Sequence, residues 1–366
     1  MKKVCFIFNY ASHYREPIFR LINDKISCDL FFVEPDSDIN TFDAKCLSNF
    51  KGFFNRSNII KPVYWQNGVI HLSPRPYSDF VITGEYFCLS NWILLIRNRV
   101  RGIKTHLWTH GWYGNESLAK RLIKKTFFRL ADKILLYGHY AEDLMINEGF
   151  KPDKLKVIYN SLDFDSQSKI YSALINTAIF DNKFCNTAPT ISFIGRIQKR
   201  KRLDILLQAI HKLHCQGFTV NLVIVGEGEH LGQIRKLTES LGLSDNVWFY
   251  GKSYEEKEIA TVLYNSEICV SPGNVGLTAM HSLAYGTPII THNNFPSQMP
   301  EFEIIKPKVN GDFFIENDAK DLARVMKEWL VCKTDREQIR LNCRSSLQGK
   351  YEPKIQLDLL MKALSI

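Results

Sequence analysis

The chain has 366 residues, of which 45% are hydrophobic and 23% are charged, and its formal net charge is +9. This length predicts two domains, and the composition is typical of a globular protein with ample core. Nine scattered cysteines, with no Cys-x-x-Cys pair and no zinc-type Cys/His spacing, argue against a zinc site and a disulfide framework and predict a reducing, cytoplasmic location. No apolar run reaches the roughly 18 residues that indicate a membrane-spanning helix.

The first half of the chain alternates short apolar strands with helical patterns. Strands are predicted at residues 4–8, 28–33, 68–72, 80–83, 104–109, 133–137 and 155–159, and helices at 17–23, 90–99, 117–132 and 141–147. Such alternation predicts a parallel sheet that is covered on both faces.

The second half repeats this organisation after a polar segment. Strands are predicted at 190–195, 219–226, 246–251 and 268–270, and helices at 204–216, 230–241, 255–265 and 355–365. We therefore predict a first domain over 1–165, a connection over 166–189, a second domain over 190–345, and a final segment, 346–366, that crosses back to the first domain. The predicted fold class is α/β, with two Rossmann-like doubly wound domains that face a central cleft, where ligands of open α/β sheets bind.

One stretch, residues 270–290, reads VSPGNVGLTAMHSLAYGTPII. An apolar strand runs into a Gly-rich turn, a helix begins near Leu277, and Gly286 followed by Pro288 ends it. A turn of this kind leaves free backbone N–H groups at the positive end of the helix dipole, which is typical of an anion site. The alternative is an ordinary turn between a strand and a helix.

Cations and further glycines follow the neighbouring strands. The segment FIGRIQKRKRLD places Arg196 and Lys201 after a strand, and two cations there suit a diphosphate. The alternative is a solvated basic start of a helix. The next two strands end at Gly226 and Gly251, and the GKS that begins at Gly251 lacks the preceding glycine of a P-loop.

In this order and spacing, the motifs resemble the nucleotide-sugar half of retaining family-4 glycosyltransferases of the GT-B fold, over about residues 190–330. The first half matches more loosely. The resemblance implies that Arg196 and Lys201 bind the donor diphosphate, and that His110, which follows a predicted strand, is catalytic, although His110 could instead simply cap a turn. It also implies that the backbone around the helix start contacts the diphosphate, through Val275, Gly276, Leu277 and Thr278. The nucleotide base would lie near the other strand ends, at Gly226, Gly251 and Lys252. A loop of the first domain would line the cleft with Ser12, His13 and Tyr14.

The chain departs from this family at one motif. The family has two glutamates separated by seven residues, and aligned on Gly276 these places hold Gly273 and His281. The resemblance assigns Gly273, Asn274 and His281 to the donor sugar and ribose. His281 can make one hydrogen bond there, whereas Gly273 has no side chain with which to contact the sugar.

The stretch between Arg97 and Arg129 is basic: Glu116 is its single acidic residue, and it also contains aromatic residues. A basic face edged by apolar side chains suits an anionic membrane surface. The alternative is a solvated helix face plus core residues; no motif supports binding to nucleic acid.

The sequence thus predicts a glycosyltransferase that moves a sugar from a UDP- or GDP-sugar to a glycan or lipid-linked acceptor in surface polysaccharide or glycolipid synthesis. Retention of configuration is implied by the resemblance, and neither a metal nor another cofactor is expected. One alternative is a catalytically weak partner or binding subunit of the same fold. Another is an epimerase or phosphorylase, although the lysine that a phosphorylase cofactor needs is not identified.

Overall fold

The computed structural model describes residues 3–34 and 40–366. They form two compact units, of which the first comprises the described residues up to Asp163 with Gly349–Ile366 and the second Phe164–Gln348. Residues 166–189, which the sequence suggested as a connection, lie within the second unit, and the final helix lies within the first.

The first unit is built on a seven-stranded parallel sheet with a separate hairpin. Its strands are β1 (Lys3–Phe8), β2 (Cys28–Val33), β3 (Phe50–Phe54), β4 (Arg56–Ile60), β5 (Val63–Gln66), β6 (Tyr77–Thr83), β7 (Lys104–Thr109), β8 (Lys133–Leu136) and β9 (Leu155–Val157). Its helices are α1 (Glu16–Lys25), α2 (Leu89–Val100), α3 (Leu118–Arg129), α4 (His139–Asn147) and α13 (Pro353–Leu364). The sheet order is β3-β2-β1-β6-β7-β8-β9, and β4 pairs with β5 in the antiparallel hairpin.

The central strands of this sheet are apolar along their whole length because both faces are covered. Every residue from Val4 to Phe8 is buried, which is the pattern expected of a parallel strand between two layers of helices. The final helix α13 contributes Leu357 and Leu360 to the same core as Phe19 of α1.

Two local predictions for the first unit were wrong. Residues 68–72 form a 3-10 turn over Val69–His71 instead of a strand, since Gly68 takes a left-handed φ of 87° that breaks an extended backbone. The strand β3 and the hairpin of β4 and β5 were missed, because β3 and β4 are partly buried or exposed without a clear alternation and β5 alternates in burial over four residues only.

The second unit has a six-stranded parallel sheet. Its strands are β10 (Thr190–Ile194), β11 (Asn221–Val225), β12 (Val247–Gly251), β13 (Ile268–Ser271), β14 (Ile289–His292) and β15 (Gly311–Phe314). Its helices are α5 (Phe164–Ser172), α6 (Ile179–Phe184), α7 (Leu203–Cys215), α8 (Leu231–Ser240), α9 (Glu256–Asn265), α10 (Leu277–Ala284), α11 (Ala319–Leu330) and α12 (Arg336–Ser345).

The strand order of the second unit is β12-β11-β10-β13-β14-β15, which is the order of a Rossmann sheet. The direction of winding reverses between β10 and β13, and ligands of such sheets bind outside the carboxyl ends of the strands at this switch point. In the first unit the corresponding reversal falls between β1 and β6. Both units are therefore parallel α/β structures, as predicted.

Candidate functional site

The start of α10 lies at the switch point of the second unit. The first amides of a helix have no partner within the helix, and no acceptor for the N–H groups of Gly276, Leu277 and Thr278 is found in the described part of the chain. The N–H group of Val275 is different, because it donates to Oε1 of Gln298 at 2.7 Å and is buried. The prediction that Val275 holds phosphate through its amide was wrong, and the amides without an acceptor begin at Gly276.

Lys201 is fixed against this turn. Its Nζ atom donates to the carbonyl oxygen of Asn274 at 2.7 Å. Burial, with a smaller effect of Arg200, lowers the pKa of Lys201 to about 8, and Glu301 opposes that shift. Lys201 thus places a positive charge next to the amides of α10, a combination that favours a bound anion.

Gly273 is a glycine for steric reasons. Its N–H donates to the carbonyl oxygen of Lys201 at 3.0 Å, and a Cβ atom at this position would lie 2.1 Å from the carbonyl oxygen of Arg200. Any side chain at 273 would displace the backbone that carries Lys201. The neighbouring Asn274 has a buried Oδ1 atom without a hydrogen-bond partner among the described residues.

Arg196 is exposed and directly follows Gly195 at the end of β10. The hydroxyl of Thr278 donates to the carbonyl oxygen of Ile194 at 3.2 Å, which fixes the start of α10 against the end of that strand. The structure therefore brings together, at one switch point, Lys201 and three of the four predicted amides, and Arg196 follows the strand against which the start of α10 is held.

Glycines at the ends of β10, β11 and β12 form a continuous edge. The N–H of Gly195 donates to Val225 at 3.0 Å and the N–H of Gly226 donates to Gly251 at 2.8 Å. A Cβ atom on Gly226 would lie 1.9 Å from the carbonyl oxygen of Gly195, so this glycine serves close backbone packing. Lys252 is exposed, with its ammonium 4.6 Å from the ring centre of Tyr254.

His281 lies one helical turn beyond the start of α10 and contacts two residues that sequence analysis missed. Its Nδ1 atom is 3.3 Å from Oε1 of Glu256 and 3.2 Å from Nε2 of Gln167. No motif signalled these two partners, because they come from α9 and from the segment interpreted as a connection.

In the first unit, His110 follows β7 and is partly buried. Its Nδ1 atom lies 2.8 Å from the hydroxyl of Tyr113, and its ring centre lies 5.0 Å from that of Tyr137. Burial, together with the positive charges of Arg15 and Lys124, lowers the pKa of His110 to about 4. The imidazole is therefore neutral at pH 7, where it can donate one hydrogen bond and accept another.

One residue of the predicted 12–14 loop is linked to His110 through side chains. The Nε atom of Arg15 donates to the hydroxyl of Tyr14 at 3.0 Å, and the same guanidinium donates to the hydroxyl of Tyr137. Ser12 and His13 are instead held through their backbones to the segment at residues 40–41. Sequence analysis missed Arg15 and Tyr137, although Tyr137 is the last residue of a predicted strand.

A polar group spans the switch point of the first unit. Asn9, after β1, donates from Nδ2 to Oε1 of Glu85, after β6, at 2.9 Å. The hydroxyl of Tyr64 donates to the second oxygen of the same carboxylate. Glu85 was also missed, since a single acidic residue after a strand gives no distinctive pattern.

The basic stretch between Arg97 and Arg129 contains two residues that do not belong to an exposed face. Lys124 is buried and donates from Nζ to the carbonyl oxygen of Gly111 at 2.8 Å and to Oε1 of Glu116. Arg97 donates to the backbone carbonyls of the turn at residues 70–72. The prediction that both face a membrane was wrong, because each neutralises or caps a buried polar group of its own unit.

Over residues 3–34 and 40–366, no group of three or more His, Cys, Asp or Glu side chains is arranged to hold a metal ion. In the same ranges, no helix has both the length and the apolar character that a membrane span requires.

Comparison with solved structures assigns the fold to the GT-B glycosyltransferases. HepE from Anabaena, solved in complex with UDP, aligns over 100% of both chains with a TM-score of 0.74 and 14% sequence identity. The predicted GT-B fold class is confirmed by this likeness.

Residues 175–346 match the model of the family described as Glycosyl transferases group 1. For this segment the resemblance to glycosyltransferases that the motifs indicated is confirmed at the level of this group.

Two curated relatives match about half of the chain. The chain is 24% identical over 207 residues to an uncharacterized 41.2 kDa protein in the cps region of Klebsiella pneumoniae, covering 56% of this chain and 53% of that protein. It is 24% identical over 178 residues to the lipopolysaccharide core biosynthesis glycosyltransferase LpsE of Rhizobium meliloti, covering 49% and 50%. The chain thus spans about half the length of these relatives.

Proposed function

We propose that this chain transfers a hexosyl group from a nucleotide sugar to a glycan or lipid-linked acceptor in the synthesis of a surface polysaccharide or glycolipid. The observation that carries the proposal is the anion site of the second unit, where the amides of Gly276, Leu277 and Thr278 lie beside the ammonium of Lys201. The UDP bound to HepE supports a UDP-sugar as the first donor to test, and a GDP-sugar as the second.

The chemistry proposed is cleavage of the bond between the anomeric carbon and the diphosphate oxygen. Negative charge develops on the departing diphosphate, where the helix dipole of α10, Lys201 and Arg196 stabilise it. The acceptor hydroxyl oxygen forms the new bond to the anomeric carbon, and its proton passes to the departing diphosphate. Retention of configuration is the outcome that the family resemblance implies. These groups carry the charge, so the proposal requires neither a metal nor another cofactor.

The proposed role of His110 is to hydrogen-bond a sugar hydroxyl with its Nε2 atom. The lowered pKa keeps the ring uncharged, and the Tyr113 hydroxyl at Nδ1 fixes the ring orientation. A neutral, oriented imidazole of this kind positions a substrate without adding charge to the site.

We propose in addition that α2 and α3 bind an anionic membrane surface from the cytoplasmic side. Large apolar side chains of both helices are exposed to solvent, with Leu118 at 81% and Leu122 at 69% on α3. The ionic residues beside them include Lys120, Arg121, Lys125 and Arg129. Apolar side chains that enter the headgroup region next to cations attracted by anionic lipid suit peripheral binding and an acceptor carried on a lipid.

The experiment for the donor site is thermal unfolding of the full chain with UDP-, GDP-, ADP-, CMP- and dTDP-sugars. A ligand at about 100 times its Kd stabilises the folded state by about 2.7 kcal/mol. We expect one nucleotide class to raise Tm, and Arg196→Ala and Lys201→Ala to abolish the shift. Lys236→Ala, an exposed lysine on α8, is the matched control and should retain it.

Two results would count against the proposal. A wild-type chain that no nucleotide sugar stabilises has no donor site of this kind, and a shift that survives both Arg196→Ala and Lys201→Ala lies elsewhere. Stabilisation without any release of nucleoside diphosphate, with or without acceptor, would favour the second candidate, a catalytically weak partner. The observation behind that candidate is the presence of Gly273 and His281 at the two motif positions.

A further inference from the structure

An edge strand of the second unit borders a groove of about 720 Å³. β12 ends the six-stranded sheet, where it pairs with β11. In the described part of the chain, no hydrogen bond outside that ladder reaches the backbone of residues 247–250. An edge strand directs alternate N–H and C=O groups away from its sheet, so this backbone offers donors and acceptors to a further strand.

The groove takes its walls from both faces of the sheet. Trp248 packs on the face that contains Phe184 of α6, and Phe249 packs on the opposite face, which contains α8. The ammonium of Lys183 lies 5.6 Å from the ring centre of Trp248, and the guanidinium of Arg235 lies 4.2 Å from that of Phe249. One cation therefore stands beside each face of the strand, at adjacent positions along it.

Both cations are exposed. Neither Lys183 nor Arg235 forms an ion pair with a carboxylate of the described residues. Asp245 is the acidic residue of the groove lining, and it lies two residues before β12 begins. The positive charge is thus concentrated around Trp248 and Phe249, where it favours a ligand that carries negative charge.

β12 differs from the other edge strands of the two parallel sheets. Natural edge strands are commonly protected by a charged side chain or a proline. The edge strands β3, β9 and β15 each carry one charged residue, which are Lys51, Lys156 and Asp312. β12 reads VWFYG and carries none, so its own side chains do not oppose the approach of a further strand.

We propose that β12 is the docking site for an extended acidic segment of a partner protein, which adds to the sheet as a further strand. Hydrogen bonds to the backbone of residues 247–250 supply affinity, as is typical of strand addition. Successive side chains of an added strand point to opposite faces. Two neighbouring acidic residues therefore place one carboxylate beside Lys183 and the other beside Arg235.

The observations favour this occupant over two others. Pairing of β12 with the same strand of a second copy would bring the Lys183 and Arg235 side chains of both copies to one seam, and the net charge of +9 would add repulsion. An acidic glycan would use the cations and the aromatic rings, but it would leave the backbone of β12 without a ladder.

The test measures the binding of hexapeptides to the full chain by fluorescence anisotropy, with an uncharged amino-terminal fluorophore and an amidated end. TVEEVT has adjacent acids, TEVEVT has the same composition with both acids on one face, and TVQQVT is uncharged. We expect TVEEVT to bind about threefold tighter than TEVEVT, which meets one cation instead of two. It should bind about tenfold tighter than TVQQVT, which meets neither.

The backbone contribution is tested with two forms of TVEEVT that are N-methylated at alternate residues. Successive amides of an extended strand point to opposite sides, so one form loses the hydrogen bonds to β12 and the other keeps them. We expect the first to bind about tenfold more weakly than the parent peptide and the second to bind as the parent does. Bound TVEEVT should also protect the amides of residues 247–250 from hydrogen exchange.

Lys183→Gln and Arg235→Gln should each weaken the binding of TVEEVT about threefold, and the double variant about tenfold. Both side chains are exposed, so the variants should unfold at the wild-type temperature. Lys236→Gln is the matched control, since Lys236 is exposed beside Arg235 on α8 and does not line the groove. It should bind every peptide as wild type does.

Four results would overturn the proposal. If TVEEVT does not bind, the cations beside β12 only protect an edge strand from aggregation. Equal binding of the two N-methylated forms would mean that charge attracts the peptide without strand pairing. Binding of trigalacturonate that requires Lys183 and Arg235, with no binding of TVEEVT, would assign the groove to a glycan. A wild-type dimer that TVEEVT dissociates would assign the edge to a second copy.

Discussion

The Nζ atom of Lys124 lies 2.5 Å from Oε1 of Glu116, and both side chains are almost completely buried. Glu116 also accepts hydrogen bonds from the amides of Tyr113 at 3.0 Å and Gly114 at 2.9 Å. Lys124 donates in addition to the carbonyl of Gly111. This ion pair therefore fixes the loop after β7, including the tyrosine that bonds His110.

Lys124→Met should destabilise the chain by about 3–5 kcal/mol, because it leaves the buried carboxylate of Glu116 without its counter-charge. Lys125→Met is the matched control: its ammonium lies 3.8 Å from Glu148 and is partly exposed, and loss of such a surface pair costs about 1 kcal/mol or less. Urea unfolding of both variants gives the comparison. Equal losses of free energy would contradict a structural role for the buried pair.

Binding of nucleoside diphosphate should weaken as the pH rises through the pKa of Lys201, about 8. The ammonium is charged below that pH and neutral above it, while the diphosphate stays ionised from pH 7 upward. Between pH 7 and 9.5 we expect Kd for UDP to rise about tenfold, since a charge-assisted hydrogen bond is lost.

Lys201→Arg is the control for that pH dependence, because a guanidinium keeps its charge throughout the range. Its Kd should vary little between pH 7 and 9.5, whatever its absolute value. A wild-type Kd that does not change with pH would show that Lys201 contributes no charge to the site.

Gly273→Ala should lower both stability and donor affinity. The added Cβ would lie 2.1 Å from the carbonyl oxygen of Arg200 and 2.7 Å from Cα of Lys201, so the backbone must shift, at a cost of about 1–3 kcal/mol. Gly232→Ala is the matched control, since its Cβ on α8 would meet nothing within 4 Å and helix propensity should raise stability by about 0.5–1 kcal/mol. Unfolding curves and UDP titrations of both variants measure these changes in stability and affinity. If Gly273→Ala bound UDP with wild-type affinity, the prediction would be contradicted.

Membrane binding is tested by sedimentation with phosphatidylcholine vesicles that contain about 30% phosphatidylglycerol. We expect Leu118→Asp with Leu122→Asp to reduce the bound fraction strongly, and added salt to weaken wild-type binding. Ile175→Asp changes an apolar side chain of the second unit that is 70% exposed and should bind as wild type does. Equal sedimentation of all three proteins would remove α3 as part of the binding surface.

The sequence alone was sufficient for most of the second unit. The helix predicted from Leu277 and the strands around it follow from apolar periodicity, and these short-range patterns decide local structure. Lys201 does contact the glycine turn, because residues that follow parallel strands meet at one edge of the sheet.

Some missed features had a signal that could have been used. Lys124 lies three residues before Phe127 and four residues before Phe128. This spacing places it on the buried face of α3 instead of the exposed one. The strands β3 and β4 had no comparable signal, since their partial burial leaves no regular alternation.

Only the tertiary structure decided the contacts between residues that are far apart in the chain. The amide of Val275 is taken by Gln298, and Glu256 meets His281 and Gln167. Neither fact follows from local patterns, because a hydrogen bond between distant segments depends on how helices pack and on which rotamers that packing permits. The sequence predicted where a phosphate-type site would form. The packing determined which amides of this turn remain open and which carboxylate lies beside His281.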